Sequence, residues 1–204
     1  MRKTGMMTNL IVLALVSSGV VVEAGPWFGA CPAPETISTI DVNRYLGRWY
    51  NIQADWATPF QPVGTACITA TYSLRDDGAV NVVNNGYYWP WSFTSGLTSI
   101  EGAALCFADE GKCRVEFFKE PSADSERNYL ILDTDYDNYS IVYTCRNYAW
   151  GLIRWDYHWV LARTPTMTDD LYNQMYQIIA DKVPSYVTWF WRTFPIQGDG
   201  LCTY

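Results

Sequence analysis

Six cysteines and a single histidine are the residues of this chain best suited to making bonds or capturing a metal. The cysteines are Cys31, Cys67, Cys106, Cys113, Cys145 and Cys202. None of them stands in a C-x-x-C pair and His158 is the one imidazole, so the ligand sets that zinc requires are not spelled out. His158 has no evident serine or cysteine partner either, and no catalytic residue is expected. An even number of cysteines behind an export signal reads instead as three disulfides, with the pairings open. Cys106 and Cys113 flank a turn-rich stretch, 107–112, between two strand-like runs. That placement suits a local hairpin staple.

The second chemical resource is aromatic. Ten Trp, fifteen Tyr and eight Phe exceed what a packed core of this size ordinarily needs. Either the core is crowded with rings, or some of them line a cavity or a surface patch.

These side chains need a frame, and the chain spells one out as short apolar or alternating runs. They cover 49–55, 66–74, 79–85, 97–105, 113–118, 129–134, 139–145 and 155–163, each bounded by Gly, Pro, Asn or Asp. Eight strands without intervening helical patterns predict an all-β fold, an up-and-down antiparallel barrel or a sandwich. One helix follows: Thr166-x-x-Asp169 reads as a capping box, and Leu171, Met175, Ile178 and Ile179 make one apolar stripe. Asp169 and Asp170 suit its positive N-terminal end, and the stripe should pack on the outside of the barrel. In such a meander, alternate loops share an end. Loops 75–78, 107–112 and 135–138 are short and polar, whereas 56–65, 86–96, 119–128 and 146–154 are long and aromatic. One end should be closed and the other an aromatic mouth. Gly47-Arg48-Trp49-Tyr50 opens the first strand at the closed end, and Arg163 ends the last strand there. An arginine over an indole makes a structural plug, Trp49 with Arg163.

Residues 1–24 read as a cleaved signal peptide: Arg2 and Lys3, an apolar stretch, then Val22-Glu23-Ala24. Its apolar run is too short to span a membrane, and no later run approaches the required length. Residues 25–204 should form one domain. The formal charge of −7 becomes −8 once Arg2, Lys3 and Glu23 are removed. That acidity argues against nucleic acid and anionic membrane surfaces as partners. Asn138-Tyr139-Ser140 is a glycosylation sequon at a tight turn, and its use is left open. His158, with parity opposite to Trp159, is expected to face outward at the surface.

The residues 42–50, Val-Asn-Arg-Tyr-Leu-Gly-Arg-Trp-Tyr, resemble the first lipocalin motif. Residues 134–139 with 141–145 resemble the second, and 159–163, Trp-Val-Leu-Ala-Arg, the third. The resemblance runs from about residue 28 to 202, and its wording points to the apolipoprotein D-like branch, related to insect bilin-binding proteins and crustacyanins. It implies an eight-stranded barrel with one C-terminal helix packed outside. It also implies Cys31–Cys145 and Cys67–Cys202, which leaves Cys106 and Cys113 to each other. The implied pocket residues are Tyr72, Asn84, Phe117, Trp159 and Leu161, with Trp89 and Trp91 at the mouth. Gly86 stands where the family carries a charged or amide side chain, which would widen or dry the pocket. The aromatic run 87–91 replaces a short polar loop.

The resemblance implies a secreted carrier of a small hydrophobic ligand: a lipid, sterol, retinoid, or a pigment such as a bilin or carotenoid. No cofactor is required beyond a bound chromophore or lipid. The alternatives are an interaction protein that docks a partner or a second copy through its aromatic mouth, its cavity filled, and a lipocalin-type isomerase. The last would need a free Cys67, which a bond to Cys202 removes.

Overall fold

Eight strands with the expected period of two bend one antiparallel sheet back on itself. The structure, a computed structural model, describes residues 26–55, 65–88, 97–107, 110–186, 192–198, 200 and 202. Among these the strands are β1 (Pro26–Phe28), β2 (Gly47–Asp55), β3 (Thr65–Leu74), β4 (Val80–Tyr88), β5 (Leu97–Phe107), β6 (Lys112–Glu116), β7 (Tyr129–Thr134), β8 (Tyr139–Tyr148), β9 (Ile153–Ala162) and β10 (Arg192–Thr193). Helices are α1 (Val42–Tyr45) and α2 (Asp169–Lys182). Strands β2 to β9 pair in chain order, and β9 returns to β2 to close the barrel. Two short strands lie on its margins: β1 pairs with the open-end half of β9, and β10 with the end of β2. Neither short strand, nor the one-turn helix α1, is legible in the pattern of runs. The barrel itself, of the two all-β forms left open, is the one observed.

All three disulfides form, as Cys31–Cys145, Cys67–Cys202 and Cys106–Cys113. The last joins residues that face each other directly across the β5–β6 hairpin. Cys67 sits in a register shift of β3 with a left-handed backbone, φ 58°. Its N–H donates to the Ile196 carbonyl at 2.7 Å, so the bulge and the disulfide together hold the tail against β3.

The closed end is built around Trp49. Asp41 caps α1 by accepting from the Arg44 N–H, and the Trp49 indole N–H donates to the Tyr45 carbonyl at 2.9 Å. The indole has no exposed surface. The Arg163 guanidinium lies 3.7 Å from its ring centroid and donates to the carbonyls of Tyr136, Arg48 and Arg44. One side chain thus ties α1, β2 and the β7–β8 turn to the end of β9. In that turn the Asp135 carboxylate accepts from the amides of Asp137, Asn138 and Tyr139. Burial works against its charge, yet these bonds hold its pKa below the ordinary value. The segment before α1 crosses the floor: Ile37 donates to the Ile131 carbonyl and accepts from Gly111. A Cβ on Gly111 would come within 2.4 Å of Ile37, so only glycine fits there.

Strands β8 and β9 are buried on both faces near this end. Val142 and Leu161 point into the barrel core with Trp49, Tyr45 and Ile131. Ile141, Tyr143 and Val160 point outward beneath Met175 and Ile179 of α2. The helix therefore covers the barrel with the expected stripe, Leu171 and Ile178 flanking it. Its cap is Thr168, whose hydroxyl accepts from the Leu171 N–H, and not Thr166. The Thr166 carbonyl instead accepts from the Thr164 hydroxyl in the preceding bend.

His158 does not reach the surface. It faces outward from the barrel as its parity requires, but the segment after α2 seals it, leaving no exposure. Its Nδ1 lies 3.0 Å from Asp55 Oδ2 and 2.7 Å from the Tyr186 hydroxyl, and its Nε2 lies 2.6 Å from Gln53 Nε2. The Tyr186 hydroxyl also donates to Asp55. Parity sets which face a residue is on; only the tertiary packing sets what covers that face.

Replacing Arg163 by methionine keeps the stem and removes the charge-assisted bonds to three carbonyls. Urea unfolding should show a loss of about 1.5–3 kcal/mol, with the three disulfides intact by mass spectrometry.

Candidate functional site

Above the plug the barrel is hollow, with a cavity of about 690 Å³. That lies within the range of small-molecule sites, roughly 300–1,000 Å³. Its walls follow the strand period: Ile68, Ala70 and Tyr72 from β3; Val82, Asn84 and Gly86 from β4; Val142, Thr144 and Arg146 from β8; Tyr157, Trp159 and Leu161 from β9. All five pocket positions expected within the described residues (Tyr72, Asn84, Phe117, Trp159 and Leu161) line this cavity together. Trp89 and Trp91, like Trp56 and Phe60, lie outside the described residues.

The rings are not spread evenly. Trp155, Tyr157 and Trp159 form a ladder along β9, with centroids 6.2 and 6.4 Å apart. Gly86 lines the cavity beside Ile68, and a Cβ there would press on the Ile68 side chain at 3.3 Å. Asn84 Oδ1 is buried and has no hydrogen-bond partner. A buried carbonyl left so costs about 1–3 kcal/mol, and a donor on a bound molecule would recover it.

The floor is polar and was not anticipated. Tyr129 and Tyr72 hydroxyls are 2.9 Å apart, Tyr129 and Tyr45 also 2.9 Å, and Tyr45 and Ser140 2.8 Å. Burial pushes the Tyr45 hydroxyl up from 10.0 to about 12, against its hydrogen bonds and the Arg163 charge. Burial drives Tyr72 and Tyr129 up too. All three are neutral at physiological pH. Tyr129 and Tyr72 open on both the main cavity and a small void of about 20 Å³ beneath it. The one available signal was Tyr129 at the head of a strand; its contact with Tyr45 and Tyr72 depends on barrel closure.

One connection at the mouth, between β8 and β9, is shorter than the expected long loop. Strands β8 and β9 extend to Tyr148 and from Ile153, so the connection shrinks to one short turn over Ala149–Gly151. Ala149 and Trp150 are both left-handed, φ 48° and 57°, which is uncommon for residues other than glycine. Trp150 is fully exposed at 101%, near exposed Leu152. Phe28, opposite Ile153 on the neighbouring strand, is exposed as well.

Cys67 is bonded to Cys202, and free cysteines are absent among the described residues. Among the described residues no group of three or more His, Cys, Asp or Glu converges, and no helix is long and apolar enough to cross a membrane.

A closed eight-stranded barrel with an outer helix, a capped end and a hollow interior defines a class, and the sequence matches it. The lipocalin-like domain family matches residues 40–190, and the chain belongs to the lipocalin family. Apolipoprotein D of Cavia porcellus is 35% identical over 179 residues, covering 85% of this chain and 88% of that protein. Outer membrane lipoprotein Blc of Citrobacter freundii is 33% identical over 184 residues, covering 84% and 89%. Among solved structures, insecticyanin from the tobacco hornworm Manduca sexta superposes with a TM-score of 0.69 at 16% identity, covering 89% of this chain and 94% of that one. Apocrustacyanin C2 gives 0.66 at 18% identity, covering 88% and 95%. At such identities the structural likeness speaks for the fold.

The floor tyrosines link the site to stability. A hydroxyl whose folded pKa is raised contributes stability that is complete below the unfolded value and lost as pH rises through the folded one. For Tyr45 that window runs from 10.0 to about 12. In an alkaline titration, tyrosinate absorbance should rise in two phases. The later one should coincide with loss of the near-ultraviolet circular dichroism; floor tyrosines ionising with fold intact would contradict the assignment.

Proposed function

We propose that this protein is a secreted, non-catalytic carrier that holds one small, largely apolar ligand inside its barrel. The observation that carries the reading is the cavity of about 690 Å³. It is closed below by the Trp49–Arg163 plug and walled by aromatic and aliphatic side chains. Binding there is sequestration from water at about 25 cal/mol per Å² of apolar surface, with a few polar groups fixing orientation. Asn84 and the floor hydroxyls are those groups. Tyr72, Asn84, Phe117, Trp159 and Leu161 are the proposed contacts, with Trp89 and Trp91 at the mouth. The Tyr157 and Trp159 rings on the cavity wall favour a flat conjugated molecule such as a bilin, carotenoid or retinoid, and the volume also suits a sterol or acyl chain. Belonging to the lipocalin family supports a carrier role. The bonded state of Cys67 supports a non-enzymatic one, since the nucleophile an isomerase would use is consumed.

The leader-like residues 1–24, which lie outside the described residues, and three disulfides, which persist in oxidising compartments, support export. Residues 25–204 are then the single mature domain. Asn138 is exposed in its turn and is the proposed glycosylation position.

A second reading is favoured by one observation, the fully exposed Trp150 held on a left-handed turn. It makes the β8–β9 tip, with Phe28 and Leu152, a contact surface for a second copy of this chain. Sedimentation should then show a concentration-dependent dimer that Trp150→Ser abolishes; a monomer at all concentrations removes this reading.

For the carrier, titration with retinol and with a biliverdin should quench the intrinsic tryptophan fluorescence with saturation. Trp159→Ala should weaken the bound ligand by about ten- to thirtyfold, on the order of 1.5–2 kcal/mol of apolar contact. An absorbance band in protein from its native source identifies a pigment; a colourless preparation points to lipid. Absence of saturable quenching by retinol, biliverdin and a fatty acid alike would remove the carrier reading.

A further inference from the structure

We infer that the cavity floor is a one-way hydrogen-bond donor, so that the ligand is an apolar molecule whose buried end carries an acceptor oxygen of the carbonyl type. The inference rests on the carrier reading and specifies which end of the ligand enters first.

The argument is a count of hydrogens. Ser140, Tyr45, Tyr129 and Tyr72 form a chain of four hydroxyls joined by three contacts of 2.8–2.9 Å. Each hydroxyl carries one hydrogen, and each contact uses one. One hydrogen is left over, and its position decides what the floor offers. Ser140 has no exposed surface, and Tyr45 is its hydrogen-bond partner. Were Ser140 to accept from Tyr45, its own hydrogen would be buried without an acceptor. Tyr45 is also buried, and the space beside it is an apolar void of about 20 Å³. A spare hydrogen at either place carries the full desolvation cost of an unsatisfied donor.

Tyr72 and Tyr129, in contrast, line the main cavity. The low-energy arrangement is therefore Ser140 donating to Tyr45 and Tyr45 to Tyr129. The spare hydrogen sits on Tyr72 or Tyr129 and points at the ligand. Hydroxyls aligned in series also strengthen one another. No carboxylate or histidine belongs to the chain, and burial keeps its tyrosines protonated. The floor thus offers a donor across the physiological range and does not switch with pH.

The test compares two probes of equal length, methyl nonyl ketone and undecane, by quenching of tryptophan fluorescence. The ketone should bind wild-type protein about tenfold more tightly, the worth of one good buried hydrogen bond. In the double variant Tyr72→Phe, Tyr129→Phe that preference should vanish while undecane still binds saturably, which reports an intact cavity. A second readout needs no variant: the carbonyl stretch of the bound, isotope-labelled ketone should fall below its frequency in hexane. Equal binding of both probes by wild type, or a ketone preference that survives in the double variant, overturns the inference and leaves the carrier reading standing. An unshifted carbonyl band does the same. Binding of neither probe overturns both.

Discussion

The interior of this barrel exists because one stacked pair seals its lower end. The Arg163 guanidinium over the Trp49 indole, 3.7 Å from its centroid, excludes water from a place where four segments meet. A cation over an indole contributes about 1–2 kcal/mol when desolvated. The larger consequence is geometric, because the same guanidinium donates to one carbonyl each in α1, β2 and the β7–β8 turn and so joins them to the end of β9. With that end fixed, closure of β9 on β2 follows, and the upper half is free to stay hollow.

Polar groups are distributed on either side of the barrel wall according to what they must hold. Inside, four hydroxyls make a neutral chain at the cavity floor. Outside, Asp55, His158 and Tyr186 form a buried cluster that fastens the segment after α2 to the end of β2. The inner chain bears no formal charge and can face an apolar ligand cheaply. The outer cluster holds a carboxylate, so its burial requires several donors at once, and it receives them from the His158 amide and the Tyr186 hydroxyl.

Much of this could be read from the chain because strand periodicity is a local property. Trp159, Leu161 and Arg163 share parity, and the structure places the first two on the cavity wall and the third on Trp49. Tyr72 and Asn84, implied by the lipocalin resemblance, line the same cavity from β3 and β4. Reading failed where contact depended on segments distant in sequence. His158 has the correct parity but is covered by Tyr186, 28 residues further on. The capping box read at Thr166 lies two residues too early: Thr168 caps α2, while the Thr166 carbonyl accepts from Thr164 in the bend before it. The β8–β9 connection was read too long because its aromatic residues resemble a loop, whereas paired strands carry them to the very tip.

The sequence by itself determined the eight barrel strands, the outer helix and the shared inward parity of Trp159, Leu161 and Arg163, because each rests on alternation or helical spacing within one segment. Only the tertiary structure decided that the barrel is hollow, that its floor is a chain of tyrosine hydroxyls, and that His158 is buried. Those features arise where α1, β3, β7 and β8 converge or where the tail folds back, and no spacing along one element encodes the distance between two others.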